Sequence, residues 1–174
     1  MNKVGPSGNK EGKVWDLKGC HAIVQFIVSY EPQKINSLQF QYIDEDDNGR
    51  LKLSEVFGNP EFVGSGFCAV KLDYPNEYIT IVQGWYSESG IEELTLSTNK
   101  KTYLFGKASE SDEKQWFWYD LGGFNQFGGF HGTCNSERIN SIGVYFKPAM
   151  EFVAPSTMTP KTFIPTDLIR LPSF

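Results

Sequence analysis

The chain is expected to fold as an all-β protein. Three observations predict this: hydrophobic residues recur with a period of two, turn residues interrupt them at short intervals, and no amphipathic helix of useful length is present. Aromatic residues make up 15% of the 174 positions and 17 glycines accompany them, a mixture that suits strands joined by tight turns.

Taken in order, Val24, Phe26, Val28 and Tyr30 share one face of a strand, and Leu38, Phe40 and Tyr42 share a face of the next. Ile79, Ile81 and Trp85 follow, then Leu94 and Leu96, Trp116 and Trp118, and finally Ile142, Val144 and Phe146. Successive side chains on a strand point to opposite faces, so each set marks one half-buried strand. Between the sets lie Glu31-Pro32, Asp47-Asn48-Gly49, Tyr74-Pro75-Asn76, Ser89-Gly90, Asn99-Lys100 and Gly122-Gly123. Gly and Asn tolerate positive φ and Pro pre-sets its own, so each of these reads as a turn. Residues 55–66 hold Gly58-Asn59-Pro60 and Gly64-Ser65-Gly66 and form an irregular excursion, and residues 110–114 form a charged loop. After Pro148 come Pro155, Pro160, Pro165 and Pro172, which cannot sustain a helix or a central strand. The organisation is therefore one domain over 1–148 and an extended, Pro-rich tail over 149–174.

The formal net charge is −5, and no Lys/Arg cluster offers the basic face that a nucleic acid requires. Cys20, Cys68 and Cys134 are an odd set without CxxC spacing, which points to free thiols in a reducing compartment. The N-terminus lacks the apolar core of a signal peptide, and no stretch is long and apolar enough to span a bilayer. A cytoplasmic location, with the nucleus also open, is the expectation.

Catalytic and metal chemistry find little support. Asp44, Asp46, Asn48, Gly49 and Glu55 match the spacing of an EF-hand calcium loop. The approach to it alternates as a strand, however, and Gly58-Asn59-Pro60 leaves no room for an exit helix, so a solvated hairpin turn is expected there. His131 and Cys134 lie three residues apart with no third group to orient a Cys–His pair. Scattered Cys and His make a poor zinc set, and no carboxylate pair is marked out for glycoside hydrolysis. No enzyme, no metal and no cofactor are expected. The stripe Trp116-Phe117-Trp118-Tyr119 reads as core and rim, whereas Trp85-Tyr86 beside Ser87-Glu88-Ser89-Gly90 resembles an aromatic wall on which a sugar ring could stack.

Three stretches together resemble the jacalin-related lectin family of plants. They are Gly5-Pro6-Ser7-Gly8 with Gly12 and Trp15-Asp16, then Leu72-Asp73-Tyr74-Pro75-Asn76-Glu77-Tyr78-Ile79-Thr80, then Gly129-Phe130-His131-Gly132 with Ile142-Gly143-Val144-Tyr145. Thr98-Asn99 and Tyr103 to Gly106 fit between them, so the likeness runs in order from about Gly5 to Pro148. The resemblance implies a β-prism of three four-stranded Greek-key sheets that binds mannose- or galactose-type sugars without metal, and mannose- or glucose-type glycans are the expectation for this chain. It also implies homo-oligomers, a cytosolic or nuclear setting and a role in plant defence.

Carried over residue by residue, Gly12 matches the family's N-terminal site glycine. Glu137 and Arg138 match the residues whose backbone N–H groups hold sugar hydroxyls, and Asn140 matches the terminal carboxylate. Tyr86 and Ser87 fall in the variable wall. The family's G-x-x-x-D reads Ser136-Glu137-Arg138-Ile139-Asn140 here. Asn in place of Asp exchanges an ionised acceptor for a neutral one. An intracellular adaptor acting through protein contacts is the alternative, with Phe152, Phe163, Ile164 and Leu168 of the tail as candidate contacts.

Overall fold

The computed structural model describes residues 1–148, which form thirteen strands and, among those residues, no helix. The first and last described strands meet in one antiparallel sheet. β1 (Asn2–Gly8) and β2 (Lys13–Lys18) join β12 (Phe127–Cys134) and β13 (Ile139–Phe146) in the order β1-β13-β12-β2. A second sheet holds β3 (Cys20–Glu31), β4 (Lys34–Asp44), β5 (Arg50–Leu53), β6 (Phe57–Gly58) and β7 (Gly66–Lys71). The third is β10-β9-β8-β11, built from β8 (Ile79–Ser87), β9 (Gly90–Thr98), β10 (Thr102–Gly106) and β11 (Gln115–Asp120). In the third sheet, three strands follow one another by direct pairing and the fourth returns beside the first, which is the Greek key. The second sheet repeats the pattern as β5-β4-β3-β7.

The second sheet departs from four strands because its outer strand is cut in two. β5 pairs Gln41 to Asp44, and β6 pairs Ser37 and Leu38 farther along the same strand. Ser54 makes the break: its N–H donates to Phe40 O at 2.8 Å and its hydroxyl accepts from Phe40 N at 3.0 Å. Leu51 and Leu53 stay exposed before the break, and Phe57 turns into the core after it.

The three sheets converge on an aromatic core. Phe40 of the second sheet stacks on Phe130 of the first at 4.7 Å, and Phe26 meets Phe105 of the third edge-on at 5.9 Å. Fully burying each such ring contributes about 2–3 kcal/mol, and the pairs fix how the sheets sit against one another.

Two expected strand faces shift by one residue. Val24 does not join Phe26 in the core, because a bulge between Ile23 and Gln25 hands that place to Ile23. A second irregularity between Ile79 and Ile81 likewise buries Val82 in place of Ile81. One inserted residue moves every later side chain to the other face. Trp116 and Trp118 do share a face, but it is the outer one, where their rings stack at 6.1 Å, while Phe117 points inward with Tyr119 packed beside it.

The turn of residues 73–78 is held by a buried carboxylate. Glu77, 5% exposed, accepts from Asp73 N at 3.0 Å, Thr98 Oγ1 at 2.7 Å and Tyr103 OH at 3.2 Å. Burial opposes its ionisation, yet these donors outweigh burial and hold the carboxyl below its usual range. The tail over 149–174, with Phe152, Phe163, Ile164 and Leu168, lies outside the described residues.

Candidate functional site

At one end of the first sheet the loop of residues 9–12 folds against the turn between β12 and β13. Asn9 N donates to Asn140 O at 2.9 Å, and Thr133 Oγ1 donates to Asn9 O at 2.8 Å. Asn140, 4% exposed, donates from Nδ2 to Glu11 O at 2.9 Å. Gly12 has a φ of +100°, and a Cβ there would stand 2.5 Å from Cys134 O and 2.9 Å from Asn140 Nδ2. Only glycine fits this approach, which sets the Gly12 backbone against the Asn140 amide. The third loop is tied in as well, since Asn9 Nδ2 donates to Glu88 O at 2.9 Å. Gly12, Asn140 and the loop after Tyr86 and Ser87 are thus brought together.

Glu137 and Arg138 reach the same turn with their donors already engaged. Asn135 Oδ1 accepts from Glu137 N at 2.8 Å and from Arg138 N at 3.0 Å. Asn135 escaped the sequence reading. Its signal was legible, because an Asn followed by two polar residues is the pattern of a side chain that caps its own turn. The Arg138 guanidinium donates to Ile91 O at 2.9 Å and packs over Gly90, so this side chain ties two sheets together and is not an idle part of the loop. Ser136 is not among the residues with positive φ, so Ser in the family's Gly position carries no backbone strain.

Tyr86 and Ser87 line a cleft of about 680 Å³ together with Glu11, Glu88, Glu113 and Gln115. Tyr86 donates its hydroxyl to Gln115 Oε1 at 2.9 Å, and its ring packs on Phe117. Trp85 offers less than expected, since Lys114 Nζ covers its ring at 5.0 Å. The wall is rich in carboxylates, which can only accept hydrogen bonds, and so suits a ligand with many hydroxyl donors.

The other motifs settle into structural roles. The segment after Asp44 is a hairpin between β4 and β5, with positive φ at Asn48 and Gly49. Lys52 Nζ sits 2.7 Å from Asp44 and 3.2 Å from Asp47, and its hydrogen bond holds the Asp44 carboxyl below its usual range. His131, 1% exposed, bonds Val4 O through Nε2 at 2.8 Å, and burial pushes its imidazole toward the neutral form. Cys134 is a buried free thiol and takes no part in that bond.

Three Greek-key sheets around one core, with a glycine loop laid against the turn before the last strand, define a β-prism lectin scaffold. The chain belongs to the Jacalin-like lectin family, whose domain pattern matches residues 4–145. It is 36% identical over 159 residues to Protein RESTRICTED TEV MOVEMENT 1 of Arabidopsis thaliana, across 84% of this chain and 87% of that one. It is also 36% identical over 166 residues to Jacalin-related lectin 2 of the same plant, across 85% and 87%. Among solved structures it is similar to the mannose-binding lectin from Champedak, with a TM-score of 0.64 and 26% identity over 83% of this chain and 95% of that one. The family and fold are carbohydrate-binding, not enzymatic. Among the described residues no helix is long and apolar enough to cross a membrane.

Proposed function

We propose that the chain is a metal-independent lectin for mannose- or glucose-type glycans, acting in the plant cytosol or nucleus in defence or stress, and working as a homo-oligomer. One observation carries the reading: the Gly12 loop and Asn140 lie against each other through the bond from Asn140 Nδ2 to Glu11 O. Asn140 Oδ1 would accept a hydrogen bond from a sugar hydroxyl while Nδ2 keeps its bond to Glu11 O. The N–H groups of Glu137 and Arg138 would donate to neighbouring hydroxyls in exchange for their bonds to Asn135 Oδ1, and Tyr86 and Ser87 would wall the next ring. The relative from Champedak is described as mannose-binding, which favours the same sugar class. A glycan array carrying mannose, glucose and galactose oligomers tests the reading, and uniform silence at millimolar sugar refutes it. Light scattering tests the assembly, because open strand edges favour self-pairing and a concentration-independent monomer mass excludes it.

A second reading, an adaptor working through protein contacts, is favoured by Asn135. Its side chain already satisfies both backbone donors that sugar hydroxyls need. One pair of variants separates the readings. Asn135→Ala frees two N–H groups and is expected to tighten mannose binding about fivefold, whereas Asn135→Asp strengthens the internal bonds and weakens it by a similar factor. If titration calorimetry finds equal sugar affinity in both variants, Glu137 and Arg138 are not sugar donors.

A further inference from the structure

Part of the cleft that Tyr86 and Ser87 line comes from the loop between β10 and β11, through Ser109, Ser111 and Glu113. Two carboxylates of β9 hold the start of this loop: Glu92 Oε1 accepts from Ser109 N at 2.8 Å, and Glu93 Oε1 accepts from Ala108 N at 2.9 Å. Glu92 also lines the cleft, yet it is only 6% exposed, and a carboxylate is rarely so buried unless it is paired. Burial opposes its ionisation, but the bonds from Ser109 and Ser87 and the positive charge of Arg138 outweigh burial and hold the carboxyl below its usual range. Arg138 itself donates to Ile91 O at 2.9 Å, one residue before Glu92. One side chain therefore bears on three segments: the loop of residues 107–114, the wall at Ser87 and the turn before β13.

We propose that Glu92 is the positioning residue for the second ring of a bound glycan, because it holds the loop of residues 107–114 in place against Tyr86 and Ser87 and so sets the width of the cleft. The inference rests on the lectin reading above and divides that site into two parts. The first ring meets Asn140 and backbone N–H groups that Asn135, not Glu92, orders. The second ring depends on the two linings that Glu92 joins. That ring is neutral, since Glu11, Glu88, Glu92 and Glu113 line the cleft and no Lys or Arg does, so an anionic sugar is repelled.

The probes are methyl α-mannoside, a single ring, and the branched mannotriose, both neutral, titrated by calorimetry into the full chain and its variants. Glu92→Gln keeps the size of the side chain and removes the charge, so its hold on Ser109 N weakens. Glu93 still keeps Ala108 N, so the loop shifts without coming free. Wild type is expected to bind mannotriose about tenfold more tightly than methyl α-mannoside, and Glu92→Gln to cut that ratio to about twofold. Its affinity for methyl α-mannoside stays within about twofold of wild type, and hydrogen exchange at Ser109 N quickens. Glu92→Asp keeps the charge but falls one methylene short of Ser109 N, and the same loss of ratio is expected. A side chain with only a structural role would lower the melting temperature and leave the ratio as it was. A wild-type ratio near one, a ratio unchanged in both variants, equal losses for the two sugars, or unchanged exchange at Ser109 N each overturns the proposal and leaves the lectin reading standing. A wild-type chain that binds neither sugar overturns the lectin reading, and the proposal with it.

Discussion

Glu77→Ala lowers the melting temperature by about 10 °C, the largest stability effect expected of any single side chain outside the aromatic core. The carboxylate accepts three hydrogen bonds, from Asp73 N, Thr98 Oγ1 and Tyr103 OH, at 5% exposure. Removing it strands donors from three segments in a place water barely reaches, a loss of about 2–4 kcal/mol. Glu77→Gln serves as the acid-dependent control. The folded carboxyl is held below its usual range, so its stabilisation is complete above the unfolded value and is lost as the pH falls through the folded one. The gap in melting temperature between wild type and Glu77→Gln is therefore wide at neutral pH, begins to narrow as the pH falls below the unfolded Glu value of about 4.3, and closes only below the folded one. A gap that stays constant into acid would show that the charge of Glu77 contributes nothing.

Gly12→Ala is expected to abolish detectable mannose binding, a loss of more than tenfold, with a smaller fall in stability. The residue holds a φ of +100°, and an added Cβ would meet Cys134 O at 2.5 Å. Backbone strain of this kind is worth about 1–3 kcal/mol, and the loop relieves it by moving off the turn. That movement breaks the bond from Asn140 Nδ2 to Glu11 O, on which the proposed site depends. Calorimetry with mannose reads the affinity, and hydrogen exchange at Asn9 N reads the release of the loop from Asn140 O. Sugar affinity within twofold of wild type, together with an unchanged Asn9 exchange rate, would rule out this loop as part of the site.

The sequence by itself determined the class of fold. Period-two patterns at Leu38-Phe40 and at Ile142-Val144 are strands with those residues inside, because alternation is a local property that any buried sheet imposes. It also carried the family likeness, and it set aside the calcium loop through the strand pattern leading to Asp44. Its periodicity did not reveal β1, β2, β5, β6, β7, β10 or β12. The first breaks its pattern with glycine and proline at a sheet edge, and β12 is buried along its whole length, so neither alternates.

Tertiary structure decided the rest. Ile23 in place of Val24, and Val82 in place of Ile81, depend on bulges that exist only against a partner strand. The site changed most. Read as a string, Asn140 is an acceptor that lacks a charge, and Asp would look like an improvement. In the fold its amide hydrogens hold Glu11 O, a bond that a carboxylate cannot make, so the same substitution would also unlatch the loop. Asn135 shows the same limit. Its neighbours in sequence mark it as a turn residue, but only the assembled loops show that it occupies the two N–H groups a sugar would need. Local periodicity reports which face of a strand is buried. Which donors remain free depends on distances between segments far apart in the chain, and no pattern along one segment encodes them.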